Sequence, residues 1–209
     1  GRQESQYTKP GFKRKFDEEQ KFELCVFFHN LKSYDGNFLI SNCKKSYTEF
    51  INKKGEVGYH DVEVMALTSE KFLTFKISNL KFVDSYQLMN ASLDKLASVL
   101  KSDGTHNFVH TSRYLSQYGD IIYRKGVYPY SFMTGPDKFK LAELPPKQSF
   151  YDELNEREIS QSDYELAKKA WDVFECKTMR DFHDKYLLLD VLILVDCFEN
   201  FRELVYTEH

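Results

Sequence analysis

An apolar run, Cys25-Val26-Phe27-Phe28, gives way to polar residues at His29-Asn30 and resumes at Phe38-Leu39-Ile40. This pattern predicts a strand over about 22–28, a turn over Asn30–Gly36, and a short helix or extended segment from Phe38. A strand ending in this way carries Asn30 and Asp35 to the edge of a sheet, where an ion and a substrate can reach them. Residues 57–88 read as strands. Phe75 and Ile77 alternate with Thr74, Lys76 and Ser78, Ser78-Asn79 marks a tight turn, and Leu80, Phe82 and Asp84 continue on another strand. A helix capped by Asn90 or Ser92 follows, with Leu93, Leu96 and Leu100 at helical spacing.

Over 101–150 no periodic face shows, and Ser102-Asp103-Gly104, Gly126, Pro129, Gly135-Pro136 and Pro145-Pro146 punctuate the stretch. It reads as an irregular insertion. Ser162 with Glu165 signals a capping box for a helix to about 175, and Thr178 with Asp181 repeats the signature for a last helix to about 206. Residues 1–20, polar and broken by Lys9-Pro10-Gly11, read as a loose leader, while 44–58 read as a surface connection.

The last helix carries the sharpest clue. From Tyr186 to Val195 it is apolar nearly all round, which predicts burial on most faces, and Asp190 interrupts that run. A carboxylate is rarely buried without a partner, because desolvation costs several kcal/mol unless the charge is paired or holds a metal. Tyr186 lies one turn earlier on the same face. Asp196 lies about 240° further round the helix, so only Asp190 shares the face of Tyr186. Two readings stand at this point: Asp190 pairs with an Arg or Lys in a core, or it ligates Mg²⁺ or Mn²⁺, which favour oxygen ligands.

Composition narrows the partners. With 42% hydrophobic residues, 14 Tyr and 18 Phe in 209 residues, the chain can build a sizeable core. Its net charge of −3 offers no global basic field, so any nucleic-acid contact rests on local cations and aromatic rings. Cys25, Cys43, Cys176 and Cys197 form no C-x-x-C pair and read as reduced core residues of an intracellular protein. His106 and His110 lack an accompanying Glu in a polar stretch, which argues against zinc. No apolar run has membrane-spanning length, so no membrane partner is expected.

With both stretches in view, the chain resembles the 3′–5′ exonuclease domain of family B DNA polymerases, nearest the protein-primed branch of phages, linear plasmids and self-replicating transposons. Phe28-His29-Asn30-Leu31-Lys32 through Asp35-Gly36 and Phe38 is similar to the family's second exonuclease motif, and Tyr186-x-x-x-Asp190 to its third. Ser92-Leu93-Asp94-Lys95-Leu96 is similar to its single-strand-contacting Ser/Thr-Leu motif. Lys125-Gly126-Val127-Tyr128-Pro129-Tyr130, Leu144-Pro145-Pro146-Lys147 and Asp196-Cys197-Phe198-Glu199-Asn200-Phe201 resemble transposon-type members of this mobile-element group.

The resemblance implies an RNase H-like α/β fold with a mixed sheet flanked by helices over 21–209, truncated at its N-terminus. It implies Asp35 and Asp190 as ligands of a two-metal Mg²⁺ or Mn²⁺ site, with Tyr186 placing the attacking water. His29, Asn30 and Phe38 would hold the 3′-terminal nucleotides, and Ser92 and Leu93 the strand behind them. The parent would be a DNA-directed DNA polymerase, a nucleotidyltransferase of DNA replication that takes primer-template DNA and deoxynucleotides, with a terminal priming protein as a further partner and a polymerase palm downstream.

Three features depart from the family pattern. Ser33-Tyr34 lengthens the second motif by one residue. Leu188 stands where the third motif commonly has Lys. The first motif, Asp-x-Glu, has no counterpart, because Asp17-Glu18-Glu19 lies too close to the second. The chain alone is therefore expected to hydrolyse DNA poorly. A catalytically inactive single-stranded-DNA-binding module is the alternative. A third reading is an α/β domain in which Asp35 and Asp190 merely satisfy core charges.

Overall fold

The computed structural model describes residues 23–30, 39, 50–51, 57–58, 62–68, 71–77 and 79–207. The chain divides into two compact units, one up to Leu88 and the other from Met89. The leader expected over 1–20 lies outside the described residues.

The first unit is built on strands: β1 (Leu24–Phe28), β2 (Phe50–Ile51), β3 (Val57–Gly58), β4 (Val62–Thr68), β5 (Lys71–Ile77) and β6 (Leu80–Asp84). Four of them form a mixed sheet in the order β1-β6-β5-β4, and β2 and β3 form a separate antiparallel pair. The register places Ile77 opposite Leu80, with Asn79 in a turn before β6; Ser78 of the expected tight turn lies outside the described residues. Phe75 and Phe82 are a cross-strand pair on one face, their rings stacked at 4.5 Å, with Phe28 6.1 Å from Phe82. Both Phe75 and Phe82 are buried, each contributing roughly 1.5–3 kcal/mol of hydrophobic stabilisation.

β1 runs parallel to β6, with Phe28 opposite Asp84. Parallel pairing brings the ends of both strands to the same edge of the sheet. The turn leaving β1 therefore begins beside the residues leaving β6. Cys25 on β1 is exposed rather than in a core, whereas Cys176 and Cys197 are buried.

A short α1 (Tyr86–Met89) follows, and the second unit then holds α2 (Leu93–Asp103), α3 (Val109–Leu115), α4 (Gln161–Val173) and the 29-residue α5 (Met179–Thr207). Ser92 is the N-cap of α2, accepting a hydrogen bond from the Lys95 N–H at 3.3 Å, and Leu93, Ala97 and Leu100 form its buried face. Ser160, not Ser162, caps α4. Its hydroxyl accepts from the Asp163 N–H at 3.0 Å and donates to the Asp163 carboxylate at 2.8 Å. The Thr178–Asp181 box opens α5 as expected: Asp181 Oδ2 accepts from the Thr178 N–H at 2.9 Å, and Thr178 Oγ1 accepts in return at 3.3 Å.

The stretch 101–150 is irregular in backbone, mostly single 3₁₀ turns, yet it is built into the core. Phe108, Leu115, Ile121, Ile122 and Phe150 from it pack with Met179, Phe182, Leu189 and Ile193 of α5. It also contains α3, whose seven residues are too few to show a periodic face.

Helix α5 departs from the expected all-round burial. Its buried face is Met179, Phe182, Tyr186, Leu189, Ile193 and Cys197, while Leu187 (52%), Leu188 (41%) and Val191 (49%) stand exposed on the other side. Among the described residues no helix is long and apolar enough to cross a membrane.

Candidate functional site

In the first unit, the end of β6 shapes the turn that follows β1. Asn30 has φ 70°, the left-handed region that among non-glycine residues Asn enters most readily. Its N–H donates to Asp84 Oδ1 at 2.9 Å, and the Tyr86 N–H donates to the same oxygen at 3.0 Å. The Ser85 N–H and hydroxyl both donate to the Phe28 carbonyl, at 2.8 and 2.7 Å. With its single proton so used, Ser85 Oγ accepts from His29, which makes Nδ1–H the donor across 3.1 Å. His29 and Asn30 are thus fixed together by two successive residues of the opposite strand. Asp35 and Phe38 lie outside the described residues.

In the second unit, Tyr186 and Asp190 sit one turn apart on α5, and the segment 125–130 closes over them. The Tyr186 and Tyr130 hydroxyls are hydrogen-bonded at 2.5 Å, and the Tyr186 ring stacks on Tyr128 with centroids 4.8 Å apart. Tyr128 is held in turn by His183, its hydroxyl 2.8 Å from Nδ1. Asp190 Oδ1 is buried and has no hydrogen-bond partner among the described residues. Burial raises the Asp190 carboxyl above the ordinary carboxylate range, against the opposing pull of the Tyr186 hydroxyl and the Lys125 charge. Burial and the neighbouring Asp190 charge push the Tyr186 phenol far up as well, so it stays protonated. Tyr128 is pushed up to about 12, chiefly by burial. The arrangement is a protonated hydroxyl beside a poorly solvated carboxyl whose Oδ1 is unsatisfied. Such an oxygen is suited to a cation ligand.

Asp196 is spent differently. It is 1% exposed and accepts from the His110 N–H at 2.7 Å on Oδ1 and the Thr111 N–H at 2.9 Å on Oδ2, capping α3. Both oxygens of Asp196 are thus engaged by backbone amides, whereas Asp190 Oδ1 is not engaged by any described residue. Ser92 and Leu93 have the geometry of a helix cap and a core residue.

The structure thus brings Tyr186 together with Asp190, and His29 with Asn30. Sequence reasoning passed over Asp84, Tyr130, Lys125 and Gly126. The last three fall within the Lys125–Tyr130 segment, which stood out in the sequence without an assigned role. Lys125 supplies from another segment a positive charge that acts on Asp190, where Leu188 offers none. Gly126 is where this segment approaches closest: a Cβ there would lie 2.8 Å from Tyr186 Cδ2 and 3.0 Å from Cε2. Gly126→Ala is expected to displace the Tyr186 ring, which Tyr128 and Tyr130 hold from the other sides. The shift is expected to cost about 1–3 kcal/mol of stability, read as a lower Tm.

A family model, DNA polymerase type B, organellar and viral, matches residues 16–209. The chain belongs to this family. Membership places this family B polymerase chain among the nucleotidyltransferases of DNA replication. No curated protein and no solved structure matches it. Among the described residues of the polymerase chain, no three His, Cys, Asp or Glu side chains form a metal-sized group.

Proposed function

We propose that this chain carries the 3′–5′ exonuclease part of its polymerase, on an RNase H-like fold, and trims single-stranded 3′ ends in a reaction supported by Mg²⁺ or Mn²⁺. The observation that carries the reading is Asp190. It is an unsatisfied, poorly solvated carboxyl set one turn after a protonated tyrosine, on a helix whose other buried carboxylate is already consumed. Asp35 is the second ligand in this reading. A pair of such ions would supply Lewis-acid stabilisation of the phosphate and lower the pKa of the attacking water.

The chain's own residues do the rest. Tyr186, its phenol kept protonated, donates a hydrogen bond that orients the attacking water. Tyr130 fixes the rotation of that hydroxyl, and Tyr128 fixes the ring. Lys125 adds positive charge beside the carboxyl. His29 and Asn30 hydrogen-bond the terminal nucleotide, Phe38 stacks on a base, and Ser92 and Leu93 support the strand behind, as single-strand binders do. Primer-template DNA, deoxynucleotides and a terminal priming protein are the partners of the parent polymerase in this reading.

The test offers 3′-labelled single-stranded DNA to the parent polymerase with Mg²⁺ or Mn²⁺. Release of mononucleotides from the 3′ end, lost in Asp190→Ala, is the expected result. DNA that is bound with Asp190 intact but never shortened would replace this reading with a non-cutting binding module.

A further inference from the structure

Asp84 is a fully buried carboxylate, 1% exposed, that the hydrolytic chemistry does not use. It sits where β6 ends, opposite Phe28 in the parallel register. Its Oδ1 accepts from both the Asn30 and the Tyr86 N–H groups, at 2.9 and 3.0 Å. The first of these bonds closes on a residue in the left-handed region, which Asn enters more readily than other side chains but which is one backbone well among several. The adjacent Ser85 is wholly buried and ties the preceding carbonyl and the His29 ring to the same strand end. A buried carboxylate is an expensive way to end a strand. The exposed residue it holds, Asn30, is the proposed nucleotide contact.

We propose that Asp84 is a positioning residue for DNA binding, its carboxylate locking the Asn30 backbone in the left-handed conformation that presents the Asn30 side chain to the 3′-terminal nucleotide. The proposal rests on the reading of Asn30 as a DNA contact. Asp84 itself touches no DNA. Its contribution is preorganisation: without the acceptor at Oδ1, the turn relaxes to other backbone wells and the ordering is paid on binding.

The experiment measures binding of a fluorescent oligothymidylate with a free 3′ end to the full chain, in EDTA so that nothing is cut. Asp84→Ala is expected to weaken binding about tenfold. Asp84→Asn, whose amide oxygen can still accept from the Asn30 N–H, should restore affinity to within about twofold of the unsubstituted chain. The decisive readout is coupling: Asn30→Ala and Asp84→Ala together should bind no worse than Asn30→Ala alone. Additive losses would overturn the positioning role while leaving Asn30 a DNA contact. If Asn30→Ala binds as tightly as the unsubstituted chain, the nuclease reading of this turn falls, and the proposal with it. Should Asp84→Ala not fold, hydrogen exchange on the unsubstituted chain decides the matter. Slow exchange at the Asn30 amide supports the lock, and unprotected exchange overturns it.

Discussion

Asp190→Asn is expected to abolish 3′-end hydrolysis and at the same time make the chain harder to unfold. The two effects share one cause. Burial raises the Asp190 carboxyl, the Tyr186 hydroxyl and the Lys125 charge offset only part of that rise, and Oδ1 has no hydrogen-bond partner among the described residues. Between the carboxyl's ordinary value and its raised value in the fold, the folded chain binds more protons than the unfolded one. Stability therefore falls as pH rises through that window. An amide does not titrate, so Asp190→Asn escapes the loss. The two chains should melt alike at acid pH as far as this group is concerned, and the variant should gain as pH rises, reaching about 1–3 kcal/mol at neutral pH, or a few degrees in Tm for a chain of this size.

Mn²⁺ should raise the Tm of the unsubstituted protein and leave that of the variant unmoved. Loss of a metal ligand removes several kcal/mol of transition-state stabilisation, roughly 10³-fold in rate or more. Melting curves in EDTA from pH 3 to 8, repeated with Mn²⁺, check all of this. A variant that melts lower at every pH would mean that Asp190 is satisfied by a cationic partner and is structural.

The opposite outcome is expected of Asp196→Ala. Its carboxylate accepts two backbone N–H groups at the start of α3, both bonds charge-assisted and one fully buried. Removing it strands both donors, since no other cap is present: Phe108 at the N-cap position makes no side-chain hydrogen bond. The loss should be about 3 kcal/mol, read as a drop of roughly 6–12 °C in Tm. Asp196→Asn keeps one acceptor and should recover about half. Response to Mn²⁺ should be intact in whatever fraction remains folded. A chain with Asp196→Ala that unfolds within 1 kcal/mol of the unsubstituted one, on the order of a single surface contact, would show that water replaces the cap.

These two carboxylates, six positions apart on one helix, show what the sequence discloses and what it withholds. Asp190 was legible because a charge inside an apolar run poses a question that only a partner or a ligand answers. The role of Asp196 was not, because its partners His110 and Thr111 lie 86 and 85 residues earlier, in a helix too short to show a period. β5, β6 and the Thr178 cap were readable from local chemistry alone. The cap of α4 was misplaced by one turn position pair, since Ser160 and Ser162 both precede an acid by three residues. Asp84 was legible only as a strand residue, because its work depends on the parallel register of β1 and β6, which no local pattern encodes. The apolar stretch in α5 overstated burial: Leu187, Leu188 and Val191 share its composition but not its inward face.

The cap that α5 lends to α3 also sets an order of events during synthesis. The Asn107 carbonyl and the two amides after Val109 wait for Asn200 and Asp196, so their bonds close only after some ninety further residues have been made. A ribosome paused before codon 196 would present a nascent chain whose middle third has left the tunnel but cannot yet settle. Loops this long close slowly relative to local contacts. Chaperone capture is expected to concentrate on that interval, and to end abruptly once the last helix emerges.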